Sequence, residues 1–248
     1  MSSNFIEGSG EDSPMSNDAG KKWVELAEKR ESLEGTKILR MLQHLAASHY
    51  AVNRNYLELV AAIDKYEKDL SIWEVTKRRQ LDAFMREVLR LLQNYLSSIY
   101  SLIQRTKVFC RDLKCAELDG EYSSKLDELL KQKCVWFVKD LRTFSQHLML
   151  PFVSASLSFT KDTKTDGGVI DQKMLLQKKE LLKWENWSKN SKEYINSLEK
   201  DIEIKTVVLE FQRLISNFYE WFYKKVVALY SDKLEELMRL ESEMARLE

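Results

Sequence analysis

Chain breakers are scarce in this sequence. Its 248 residues include 7 Gly and 2 Pro, which excludes a fold of many tight turns and argues for long helices. A surplus of either charge is also lacking. The 39 basic and 39 acidic side chains cancel to a formal net charge of zero, so no global basic field advertises nucleic-acid binding, and any such binding needs a local patch. No apolar run approaches the ~18 residues of a membrane span, and the acidic, polar N-terminus has no signal-peptide core. These absences predict a soluble, cytoplasmic protein with no membrane partner. Cysteine is limited to positions 110, 115 and 134. That odd count gives no disulfide framework and fits a reducing compartment. Cys110 and Cys115 lie far in sequence from the three histidines, so no metal is expected. There is no phosphate-binding glycine loop, nucleophile elbow or paired-carboxylate signature, and no cofactor is expected.

What is present is helical periodicity. Residues 1 to about 20 are polar and rich in Gly and Ser and read as a disordered tail; residues 21–248 read as one domain. A short helix through Trp23 and Leu26 should stop near Gly35. Thr36 is a plausible N-cap for a helix to about Leu70, with Ile38, Leu42, Leu45, Leu59 and Ile63 at helical spacing. A second long helix is expected over about 72–113, with Leu81, Phe84, Val88, Leu92, Tyr95, Ile99 and Phe109 on its stripe. A third is expected from about 123 or 124 to 148, separated from the second by Asp119-Gly120. Period-two alternation in Ser154–Thr160, a turn at Asp166-Gly167-Gly168 and a returning strand at 169–176 predict one β-hairpin at about 152–176. Helix resumes at about 179–184 and 188–198, then from about 202 to the C-terminus, whose charged end (234–248) reads as a projecting segment. The expected fold is mainly α: a long-helix bundle with one inserted hairpin.

Charge is unevenly spread. Leu91 to Gln104 carries no formal charge. A given window of that length is charge-free with a probability of roughly 0.005 at this composition. Glu87, Arg90, Asn94, Ser98, Ser101 and Arg105 share one narrow face of the second long helix. One reading is a solvated face. The other is a face covered by a neighbouring helix or by a second copy of the chain, because small polar residues permit close approach.

Leu141-Arg142-Thr143-Phe144-Ser145-Gln146-His147-Leu148 is the stretch that suggests chemistry. Arg142 and His147 flank the apolar face of the third helix and lie about 140° apart on a helical wheel. They do not converge within one straight helix unless the arginine arcs across, or a two-fold partner brings one protomer's histidine beside the other's arginine. With 3 His in the chain, random placement yields roughly 0.5 such arginine–histidine spacings, so spacing alone is a weak signal. A histidine near a helix C-terminus also has a purely structural use against the helix dipole. His44 and His49 diverge in the same way and read as packed residues. Trp136, Trp184, Trp187 and Trp221 sit among apolar neighbours and read as core or interface. The short basic runs at 77–79, 131–133 and 178–179 read as solvated surface.

Arg142 to His147 resembles the arginine–(four to six residues)–histidine motif of the HEPN superfamily of helical proteins, many of which are metal-independent ribonucleases. A wider pattern is similar to an uncharacterised prokaryotic helical family across about residues 40–225. It comprises Arg90 to Ser98 with Ser101-Leu102-Ile103 and Arg105, Phe137, Leu141-Arg142, His147-Leu148, Pro151, the hairpin, and Glu180-Leu181-Leu182. Where that family carries Asn and Tyr after the arginine, this chain has Thr143 and Phe144. The resemblance implies a HEPN-like ribonuclease or RNA-binding relative, in a toxin or defence setting, with RNA as partner. In such an enzyme His147 would move a proton at the ribose 2′-OH or the leaving 5′-oxygen. Arg142 would neutralise the phosphate, giving a 2′,3′-cyclic phosphate and a 5′-hydroxyl. One such histidine per chain implies a homodimer. Asn94, Ser98 and Arg105 are the expected substrate-binding residues. The competing expectation is a non-catalytic helical protein–protein interaction module in which Arg142 and His147 are structural.

Overall fold

A computed structural model describes residues 17–147, 150–161 and 168–247. Helices dominate, with a small three-stranded antiparallel sheet. The elements are α1 (Asn17–Ser32), α2 (Glu34–Lys68), α3 (Arg78–Leu113), α4 (Ala116–Leu130), α5 (Lys133–His147), β1 (Val153–Lys161), β2 (Gly168–Leu176), α6 (Lys178–Leu181), α7 (Lys189–Ser197), β3 (Ile202–Glu203), α8 (Ile204–Leu229) and α9 (Ser231–Met244). The expected N-terminal tail lies almost wholly outside the described residues, as do Leu148 and most of the expected hairpin turn. The chain divides into two compact units, residues 1–41 with 227–248, and residues 42–226; the division falls inside α2 and α8.

In the smaller unit α9 does not project. It packs with α1 and buries Leu237, Leu240 and Met244, because its leucines recur at helical spacing among the charges. Arg30 grips Glu241 through Nε at 2.8 Å and Nη2 at 2.7 Å. Gly35 is buried in the first turn of α2 and does not end a helix: a Cβ there would run into the Lys233 carbonyl, so the absence of a side chain permits the close approach. Thr36 is not an N-cap. It lies inside α2, and its hydroxyl donates to the Arg30 carbonyl, satisfying the end of α1 instead.

In the larger unit α3 is the central element. Val88, Leu91, Leu92, Tyr95, Ile99, Leu102, Thr106 and Phe109 recur every three or four residues and are buried, each large apolar side chain contributing roughly 1.5–3 kcal/mol. The helix starts at Arg78, later than expected, after two 3-10 turns at Leu70–Trp73 and Val75–Lys77. It ends at Lys114, whose left-handed backbone (φ 51°) lets its N–H donate to the Cys110 carbonyl. The break therefore falls at Lys114-Cys115, and Asp119-Gly120 lies within α4. The third expected helix is two. α4 ends at Leu130, and Trp136 Nε1 reaches back 2.7 Å to the Leu130 carbonyl across the turn.

Two buried polar clusters tie α3 to α8. Tyr95 donates to Gln212 Oε1 (2.9 Å), and Gln212 Nε2 donates to Asn53 (2.7 Å) and Ser216 (3.2 Å). Thr106 donates to the Leu102 carbonyl (2.9 Å), so its one proton is used and Tyr219, 2.7 Å away, is the donor to it. Lys205 of α8 bridges Asp64 and Glu67 of α2. Asp140 of α5 accepts from the Ser188 N–H (2.9 Å) and the Ser191 hydroxyl (2.7 Å), fixing the start of α7. Phe137 and Phe144 stack on Trp187 beneath it, so these aromatic rings are core.

The two strands of the hairpin pair, with Val153 opposite Leu176 and Phe159 opposite Ile170; Gly168, expected in the turn, is instead the first residue of β2, opposite Lys161. β3 adds a third strand through Leu175–Glu203 and Leu176–Ile202, a pairing too short to show as alternation in the sequence. The hairpin is anchored at mid-strand by Gln172, which accepts from Trp73 Nε1 at 2.5 Å and donates to the Glu67 carbonyl at 3.3 Å.

Candidate functional site

Arg142 is half-buried on α5. Its guanidinium carbon lies 3.8 Å from the centre of the Tyr100 ring on α3. Its Nε is buried and has no hydrogen-bond partner among the described residues. His147 is the last residue of α5 and is exposed. The structure does not bring the two onto one face: Arg142 turns inward to α3, and His147 faces solvent at the helix end.

Nor does it bring Arg142 to the expected substrate residues. Asn94 and Arg105 are exposed. The Asn94 backbone carbonyl accepts from Asn55 Nδ2 at 3.3 Å. The Ser98 hydroxyl turns back on its own helix, donating to the Tyr95 carbonyl at 2.7 Å. Ser101 likewise donates to Ser97 O at 3.0 Å, and Arg90 pairs with Glu87. Tyr100 lies about 120–160° round α3 from Asn94, Ser98 and Arg105. The polar stripe and the arginine contact are therefore on different faces of one helix.

What Arg142 does line is a cavity of about 190 Å³ between α3, α4, α5 and α8. The α3 wall is Leu96, Ile99, Tyr100, Ile103 and Lys107, a stripe at steps of three, one, three and four. The α4 wall is Tyr122, Leu126, Leu129 and Leu130, all only half-buried. Lys139 and Arg142 stand on the α5 side. Among the described residues no Asp or Glu lines the cavity, and no carboxylate pairs with Lys107, Lys139 or Arg142. Lys139 Nζ sits 4.6 Å from the centre of the Trp136 ring. Burial pushes the Tyr122 hydroxyl up to about 12 and also raises Tyr219, so neither of these two phenols supplies negative charge near neutral pH. Sequence reading missed this cavity because its four walls come from segments far apart in the chain; the signal it left was the excess of apolar residues on α4 over what a solvated helix needs.

The remaining titratable candidates are structural. Burial pushes the Cys110 thiol up to about 11 and the Cys134 thiol up to about 12, which leaves both protonated and unreactive. His49 lies tilted against Tyr219 and stacked on Tyr223, at 5.1 and 5.9 Å between ring centres, and burial lowers its pKa. His44 is exposed. Among the described residues there is no group of three or more His, Cys, Asp or Glu able to hold a metal ion, and no helix is long and apolar enough to cross a membrane. No family model, curated protein or solved structure matches this chain.

Proposed function

We propose that this chain is a non-catalytic helical interaction module that assembles through the free edge of β1, its occupant being a second copy of the chain. The observation that carries this reading is the outer half of the hairpin. In the strand order β1-β2-β3, β1 is paired on one side only among the described residues. On one face of the pair Gln172, Met174 and Leu176 are buried toward the helices, whereas Leu157, Phe159 and Ile170 on that same face are 46%, 67% and 48% exposed. β1 holds one charged residue, Lys161, in nine. A long, nearly uncharged, apolar edge lacks the devices that keep sheet edges from pairing. Two copies related by a two-fold axis at Leu157 would extend the sheet antiparallel, with Phe159 of one beside Ala155 of the other. Light scattering on the eluting protein across a concentration series tests this. The expected result is a dimer in the wild type and a monomer in Leu157→Lys/Phe159→Lys. A wild type monomeric at every concentration, or a variant that still dimerises, overturns it.

Two observations support the ribonuclease reading: Arg142 is not neutralised by any described carboxylate, and His147 is exposed. RNA cleavage in EDTA, compared between wild type and His147→Ala, decides it. Cleavage lost in the variant establishes the HEPN-like enzyme. No cleavage by the wild type, or equal cleavage by both, removes it.

A further inference from the structure

The cavity beside Arg142 is independent of the β1 edge, and its chemistry defines a ligand. We infer that it is a binding site for a small amphipathic carboxylate, an apolar tail with a single anionic head. The tail's place is the apolar lumen, walled by Ile103, Leu126, Leu129, Val138 and Phe218. A cavity of about 190 Å³ is of the order of the ~150 Å³ apolar cavity known to take benzene, so it fits one short alkyl chain or one aryl ring. It does not fit a helix. The head's counter-charge comes from Lys107, Lys139 and Arg142, three basic residues in a lining that holds no Asp or Glu among the described residues. Arg142 already has a buried Nε without a hydrogen-bond partner among the described residues. Such a donor carries a desolvation cost that an incoming oxygen would relieve. A guanidinium matches a carboxylate with paired N–H donors, whereas the lysines add charge without geometry. The Tyr100 ring, with its centre 3.8 Å from the guanidinium carbon, holds the group against α3.

The four-helix setting gives the ligand a structural effect. Among the α4 residues only Leu118 is fully buried, although Tyr122, Leu126, Leu129 and Leu130 all turn toward the cavity. An apolar tail between them would supply the missing contacts, and α4 would gain more from occupancy than the other three walls.

Isothermal calorimetry with octanoate, octanol and octyltrimethylammonium tests the assignment, using the full chain. One octanoate per chain is expected, with octanol bound about tenfold or more weakly and the cation not bound. Arg142→Gln should weaken octanoate about tenfold while leaving octanol unchanged. Leu126→Trp, which fills the lumen from a half-buried position, should abolish both, with helical circular dichroism confirming that the variant folds. Absence of octanoate binding at millimolar concentration overturns the site. So does equal affinity for octanoate and octanol, or binding untouched by both substitutions.

Discussion

The Arg142 guanidinium stacks on the Tyr100 ring at 3.8 Å, joining α5 to α3 by a cation held over an aromatic face. Tyr100 is 42% exposed, so the contact is partly solvated and worth about 0.5–1 kcal/mol. A double-mutant cycle of Arg142→Gln and Tyr100→Leu, read from urea unfolding, should return a coupling of that size. A coupling indistinguishable from zero would mean that the two side chains only share a neighbourhood.

Gln212 satisfies three groups at once. It accepts from Tyr95 and donates to Asn53 and Ser216. Gln212→Leu should therefore cost about 2–3 kcal/mol, because it leaves the buried Tyr95 hydroxyl without an acceptor. Tyr95→Phe removes one partner and should cost about 1 kcal/mol. Adding Tyr95→Phe to Gln212→Leu should recover part of the loss. Chemical denaturation of the three variants checks the order.

His49 makes stability depend on pH in a defined direction. Burial beside Tyr219 and Tyr223 lowers its pKa in the folded chain. The unfolded chain then binds more protons once the pH falls below about 6.5. Stability is fully present above that value and is lost as pH falls toward the folded pKa. Carboxylates such as Glu31 and Glu87, held low by hydrogen bonds from arginine, lose their contribution only at more acidic pH. Unfolding midpoints at about pH 7.5 and about pH 5.5 should differ in the wild type and converge in His49→Phe. Identical pH dependence in both would remove His49 as the cause.

At Gly35 two effects oppose each other. Helix propensity alone favours Gly35→Ala by up to about 1 kcal/mol. The added Cβ, however, meets the Lys233 backbone carbonyl, and backbone cannot swing aside as a flexible side chain can. The clash should win, giving a net loss of about 1–3 kcal/mol. Calorimetric melting of the variant against wild type settles the sign.

Much of the helical frame was legible because burial leaves a period. The stripe of α3 and the alternation of β1 appear directly in residue order, and the buried stripe and the two paired strands follow them. Helix ends were less legible. Asp119-Gly120 reads as a break, yet the chain turns at Lys114, a residue with no intrinsic preference for left-handed backbone; packing of the segments on either side placed the turn there. The Arg142–His147 pair was visible as two letters five apart, and the wheel already set them on different sides of α5. What residue order did not contain was Tyr100 as the partner of Arg142. That contact spans 42 positions, from Tyr100 to Arg142.

By itself, then, the sequence determined a mainly helical chain with one hairpin, no metal-ligand cluster that spacing could reveal, and an arginine and a histidine that diverge. These follow from local periodicity and side-chain chemistry, which act within a few residues. Only the tertiary structure decided that Arg142 packs on a face of α3 other than the polar stripe, that three basic residues line one cavity with no Asp or Glu among the described residues, and that the outer half of the hairpin keeps its apolar face exposed. Each of these depends on how distant segments pack, and packing is set by the shapes and volumes of whole faces rather than by the order of residues along any one of them.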